Sequence, residues 1–100
     1  MKTDAANAPN TSRIRLDKWL WHARFFKTRA LSAKLVASGK VRVNGRRVSK
    51  PATFVTAGDV LTFPQAGSIR VVRILAPGER RGPASEAQNL YDLVQDPKGE

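Results

Sequence analysis

Arg42 and Arg47 are set to confront each other. The stretch GKVRVNGRRVSKP, residues 39–51, alternates valine with arginine as far as Asn44-Gly45 and then turns back through Arg46 and Arg47. Asn-Gly is a strong hairpin signal, because a two-residue primed turn needs positive φ at both central positions and these residues tolerate it best. Such a turn sets Val43 opposite Arg46, Arg42 opposite Arg47 and Val41 opposite Val48. The valines then share a face with Arg46, and the Arg42 and Arg47 pair occupies the other face. Like charges directly across a strand pair destabilise it. A phosphodiester chain running between them reverses the sign, since each neutralised phosphate releases counterions and adds to binding. Lys27, Thr28 and Arg29 offer a second anion seat, because the start of a helix presents free N–H groups and a partial positive charge.

The other cations of this region are Arg13, Arg15, Lys18 and Arg24 on or before a first helix, Lys34 on a second, and Lys40 and Lys50 flanking the hairpin. Residues 13–50 hold twelve cations against Asp17 alone, while the rest of the chain holds six against seven acids. The net charge of +10 therefore lies wholly in the first half. A solubilising surface is normally mixed in sign, whereas a one-sided concentration is the footprint of a polyanion-binding protein. On charge alone a DNA ligand stays open beside RNA.

Catalysis has little to work with. The eight acids, Asp4, Asp17, Asp59, Glu79, Glu86, Asp92, Asp96 and Glu100, are scattered, so no carboxylate cluster suggests itself for metal-assisted phosphodiester chemistry. With no cysteine and a single histidine, His22, neither a thiolate nucleophile nor a conventional zinc site is expected. There is no Walker loop, dinucleotide fingerprint or nucleophile elbow. The reading is a binding protein that is no enzyme and needs no cofactor or metal.

The elements that must position these cations follow from periodicity. Residues 1–12 read as a flexible arm. Leu16, Trp19, Leu20, Ala23 and Phe26 recur at helical spacing, predicting a first helix over about 17–25 with Asp17 as its N-cap. Thr28 caps a second, whose buried stripe is Leu31, Leu35 and Val36 and whose stop is Gly39. Trp19 and Phe26 belong to the core. Trp21, His22 and Phe25 lie off that stripe, where packing under a closing helix is the commoner fate and base stacking the alternative.

After the hairpin, strands are expected at Val60 to Phe63 and Ile69 to Leu75. PGERRGP, residues 77–83, is a breaker-rich connector. Ser85 and Gln88 have capping-box spacing, and Ala87, Leu90, Tyr91 and Val94 form one stripe, so a closing helix is expected over about 85–94. Residues 95–100 read as a tail. One hundred residues make one modest domain. No apolar run approaches the roughly 18 residues of a membrane span, and the N-terminus lacks a secretory h-region, so no membrane partner and a cytoplasmic location are expected.

RLDKWLWHARFFKTRALSAKLVASGKVRVNGRRVSKP, residues 15–51, with Gly58-Asp59, resembles the S4 RNA-binding domain. Within that superfamily RLDKWLW, ARFFKTRAL, GKV, NG, SKP and RRGPASEAQNLYD resemble the heat shock protein fifteen group of ribosome-associated proteins, over about residues 13–94. The resemblance implies an α+β, α-L fold over 13–76, with two packed helices and a small, mainly antiparallel sheet, followed by the connector and closing helix over 77–94. Carried over by position, its RNA-facing sites fall on Arg15, Lys18, Arg24, Lys27, Thr28, Arg29, Lys34, Arg42, Asn44, Arg46, Arg47 and Lys50; Arg13 and Lys40 extend the same basic run. It further implies binding to structured ribosomal RNA on the large ribosomal subunit, including subunits that hold peptidyl-tRNA, in rescue after stress; separately, a monomer is expected. Ser32 stands where the group favours alanine, a change not expected to disturb binding. Relatives commonly run on into a basic extension, whereas this sequence closes on VQDPKGE, so contacts from such a tail are not expected. Two other classes remain open: an adaptor working through protein contacts, and an accessory module of an RNA-modifying enzyme.

Overall fold

The computed structural model describes residues 13–94; the arm expected at 1–12 and the tail at 95–100 lie outside the described residues. A two-residue strand, β1 (Ile14–Arg15), leads straight into helix α1 (Leu16–His22). Asp17 is not the N-cap. The capping position falls to Arg15, whose side chain makes no cap bond, because backbone carbonyls do the work: Leu16 N–H donates to Thr53 O at 2.8 Å and Asp17 N–H to Pro51 O at 3.2 Å. The helix start is thus satisfied from outside itself.

Helix α1 ends at His22, earlier than its apolar spacing implies. Arg24 adopts φ 64°, and the N–H groups of Arg24 and Phe25 reach back to Trp21 O and Leu20 O. That pattern is a Schellman stop with arginine where glycine is usual. It swings Phe25 and Phe26 back over the sheet, where Phe25 meets Phe63 edge-on at 5.1 Å between ring centroids.

Helix α2 (Arg29–Ala37) begins at Thr28, whose Oγ1 accepts from Leu31 N–H at 3.1 Å, and stops at Gly39 with φ 78°, both as expected. Its buried stripe differs. Val36 is fully buried and Leu35 half-buried, but Leu31 is exposed, and fully buried Ser32 takes its place. Ser32 Oγ lies 2.7 Å from Asp17 O and 2.8 Å from Arg29 O, so a small hydroxyl lets the helices approach and still finds an acceptor for its proton.

The hairpin forms in the expected register. β2 (Val41–Val43) pairs antiparallel with β3 (Arg46–Val48), Arg42 facing Arg47. Asn44 and Gly45 both have positive φ, 53° and 83°, as a primed turn demands. A short strand, β4 (Phe54–Val55), pairs with β1, and neither was apparent from periodicity because two residues show none. β5 (Val60–Gln65) and β6 (Ser68–Ile74) form the long central hairpin.

Past the connector, α3 (Ala84–Ala87) and a single 3₁₀ turn (Gln88–Leu90) replace the longer closing helix. The N-cap is Pro83 without a side-chain bond, so the Ser85/Gln88 capping box does not form. Tyr91 to Leu93 is instead a strand, β7, which satisfies the free edge of β6 through the pairs Ile74–Tyr91, Arg73–Asp92 and Val72–Leu93. Edge pairing outweighs a helical stripe that has only four residues of helix to support it.

The five-stranded antiparallel sheet runs β3-β2-β5-β6-β7, with β1 and β4 as a separate pair. One sheet face supplies Val41, Leu61, Phe63, Val72 and Ile74 to a core completed by Leu16, Trp19, Leu20 and Val36. Arg42 and Arg47 share the other face with Thr62, by register. No helix among the described residues is long and apolar enough to cross a membrane.

Candidate nucleic-acid interface

Where α1 and α2 begin, three charged side chains meet. Asp17 is 3% exposed, and both of its carboxylate oxygens accept from Arg15, from Nε at 3.1 Å and Nη2 at 3.0 Å. Arg29 Nε lies 3.7 Å from the same carboxylate. The only acid of residues 13–50 therefore aims two half-exposed arginines, one from each helix start, rather than cancelling a distant charge. Lys18 stands nearby on α1, while Lys27 and Thr28 are exposed beside Arg29. Arg15 and Arg29 are thus brought together across the two helix starts.

The hairpin cations divide between two faces. Arg42 and Arg47 are exposed on the outer face; Arg42 Nη1 reaches Gly45 O at 3.3 Å, and the Arg47 guanidinium lies over Gly39, so close that a Cβ there would stand 3.2 Å from it. Arg46 projects to the valine side, as alternation requires, into a groove between the hairpin and β4. Lys40 and Lys50 are exposed at either end of the hairpin, and Lys34 is exposed on α2 beside Phe26, Leu31 and Leu35.

Two of the expected contact residues have structural employment. Asn44 Nδ2 donates to Asp59 at 3.0 Å, its Oδ1 accepts from Val60 N–H at 2.9 Å, and its own N–H donates to Val60 O at 2.7 Å. The turn is thereby stitched to the start of β5. Arg24, besides its left-handed backbone, donates from Nη1 to Gly82 O at 2.8 Å. Arg13 lies with its guanidinium 4.4 Å from the centroid of the Phe54 ring.

The connector 77–83 is strapped across α1. Trp19 Nε1 donates to Ala76 O at 2.9 Å, Arg81 Nη2 donates to Phe26 O at 3.3 Å, and the Arg81 guanidinium approaches the Trp21 ring. His22, 2% exposed, points Nδ1 at Pro77 O at 3.3 Å, which places the neutral ring's proton on Nδ1. Burial pushes the imidazole below its usual 6.5, helped by the charges of Lys18 and Arg29 and opposed by backbone groups of Pro77 and Gly78. Phe25 thus packs on the core and His22 is buried beside it, whereas Trp21 is half-buried between the His22 ring and the Arg81 guanidinium. Phe25 lies 4.7 Å from Tyr91 and 6.1 Å from Trp19 between centroids. No group of three or more potential metal ligands occurs among the described residues.

The S4 domain family model matches residues 14–61, the stretch that carries both helix starts and the hairpin. A solved structure, the trimeric heat shock protein 15 of Vibrio cholerae, superposes with a TM-score of 0.77 at 43% identity, covering 82% of each chain. This chain belongs to the heat shock protein 15 family of S4-domain proteins. Heat shock protein 15 of Escherichia coli (strain K12) is 51% identical over 79 residues, 79% of this chain and 59% of the relative, so the match spans about three-fifths of that protein's length. A more distant relative, the RQC P-site tRNA stabilizing factor of Listeria monocytogenes, is 28% identical over 86 residues, 83% of this chain and 88% of its own. Against the heat shock protein 15 family, the RRGPASEAQNLYD motif acquires a physical role: it supplies the strap and the strand that closes the sheet.

Sequence reasoning missed Phe54, which is 55% exposed, and Arg81. Phe54 sits in a strand too short to show alternation. Arg81 lies in a connector whose glycines and prolines mark a loop but not what that loop covers.

Proposed function

We propose that this chain binds structured ribosomal RNA through the helix starts and hairpin of its S4 domain, and that it acts by binding rather than by catalysis. The observation that carries the reading is the Arg15–Asp17–Arg29 cluster, since a buried carboxylate holding two arginines half in solvent orders cations before any ligand arrives. Lys18, Lys27, Thr28 and Lys34 extend that surface along the helices; Arg42, Arg46, Arg47, Lys40 and Lys50 extend it along the hairpin, with Arg13 and Arg24 at its margins. Asn44 supports the hairpin from within.

The ligand is the large ribosomal subunit, including subunits that retain peptidyl-tRNA, and the setting is rescue after stress in the cytoplasm. The names of the relatives support this: a heat shock protein at 51% identity and a factor that stabilises P-site tRNA at 28%. One copy is the binding unit, because a single chain supplies all of these cations. The test is cosedimentation of the protein with separated ribosomal subunits across a salt series. Retention on the large subunit at low salt and release as salt rises is the expected result; equal retention on both subunits would remove the subunit assignment, and retention indifferent to salt would remove the electrostatic reading.

A further inference from the structure

Among the described residues Phe54 is the one aromatic side chain more than half exposed. The others are committed inward: Trp19 is buried, Phe25 and Phe26 lean on Phe63, and Trp21 lies beneath Arg81. Phe54 pairs across the strands with Arg15, so the ring leaves the β1–β4 pair on the same side as the arginine held by Asp17. It also lines the groove of about 420 Å³ whose far wall is Val43, Val48 and Arg46 of the hairpin. The ring therefore bridges the two groups of cations. Arg13 over Phe54 is the arrangement in which a planar cation and a ring form one stacking platform.

The Asn44 and Asp59 side chains that line this groove are already engaged. Asp59 accepts from Asn44 through Oδ1 and from Thr56 N–H through Oδ2 at 2.9 Å, and both ends of the Asn44 amide are engaged. The rest of the lining is an apolar wall, Thr53, an aromatic ring and Arg46, with Arg13 and Arg15 beside the ring. That combination suits a flat ring joined to a phosphate, not a hydrocarbon side chain, which would leave the arginines idle, and not an acidic peptide, which would leave the ring idle.

We propose that this groove receives an unpaired RNA base, stacked on Phe54 and Arg13 with its phosphate toward Arg46 and Arg15, so that the domain selects RNA bearing a bulge or loop over an unbroken duplex. The inference rests on the RNA-binding reading above and adds a component of binding that salt does not screen. A duplex buries its bases in its own stack and can satisfy the arginines alone.

The test uses the full chain and two RNA stems of equal length, one with 2-aminopurine as a single-nucleotide bulge and one with it paired. The wild-type protein is expected to bind the bulged stem about tenfold more tightly, with a change in 2-aminopurine emission on binding. Phe54→Leu keeps an apolar strand residue and is expected to lose the preference while keeping the salt dependence; Phe54→Trp is expected to retain it. Equal wild-type affinity for both stems, an emission that does not change on binding, or a Phe54→Leu variant with its preference intact would overturn the proposal. The emission reading needs no variant. Failure to bind either stem at low salt would remove the RNA-binding reading, and this inference with it.

Discussion

At the scale of single residues, the acid among the cations is the informative one. Counting charge makes Asp17 an obstacle to a polyanion, and Asp17→Asn, which raises the net charge by one, should tighten RNA binding. The geometry argues the reverse, because the carboxylate is what holds Arg15 and Arg29 in place. Asp17→Asn is expected to cost about 1–3 kcal/mol in urea unfolding and to weaken RNA affinity measured by filter binding. His22 gives a second expectation. Its folded pKa lies below the usual 6.5, so the unfolded chain takes up the proton first. The stabilising contribution is complete above 6.5 and is lost as pH falls from there through the lowered folded value. Urea unfolding between about pH 5 and 8 should show that decline, and His22→Gln should remove it. Neither role was legible beforehand. Helical spacing shows which side chains share a face, but not that the distant segment carrying Pro51 and Thr53 would cap α1 and leave Asp17 free for other partners.

Among the elements, the hairpin was the most legible, and for a physical reason: a two-residue turn leaves one register, so naming Asn44-Gly45 places every side chain on its face. Thr28 and Gly39 were legible on similar grounds, each being a residue type tied to a local backbone requirement. The closing segment was not. Ala87, Leu90, Tyr91 and Val94 are compatible with a helix, and only the vacant edge of β6 decides against it. The α1 stop was hidden too, since Arg24 occupies a left-handed position that composition would assign to glycine. The hairpin carries its own prediction. Arg42→Ala with Arg47→Ala should leave thermal stability unchanged or slightly higher, because a repulsive cross-strand pair is removed, while each lost phosphate contact flattens the salt dependence of RNA binding by about one in the log-log slope. A fall in melting temperature would show the pair to be structural.

For the molecule as a whole, the question was whether cations concentrated in half of the sequence are also concentrated in space. They form two groups: one gathered at the helix starts by Asp17, the other spread over both sides of the hairpin. Engagement of roughly four to six phosphates gives a log-log salt slope of about −3 to −5, measurable by titrating one RNA at several salt concentrations. A slope near zero would contradict an interface built on phosphate. The α+β class and the order of helices before sheet were legible from where the period changed from helical to two. The strap over α1 was not, because its contacts join residues more than 50 positions apart.

Among the described residues the order of the sheet leaves β3 with one side unpaired. An open strand is an invitation to another copy's backbone, and three-residue length with consecutive positive side chains is how proteins refuse it. On that principle Arg46 and Arg47 should guard the protein against its own aggregation while no nucleic acid is bound, and discharging them for a binding assay should also lower that guard.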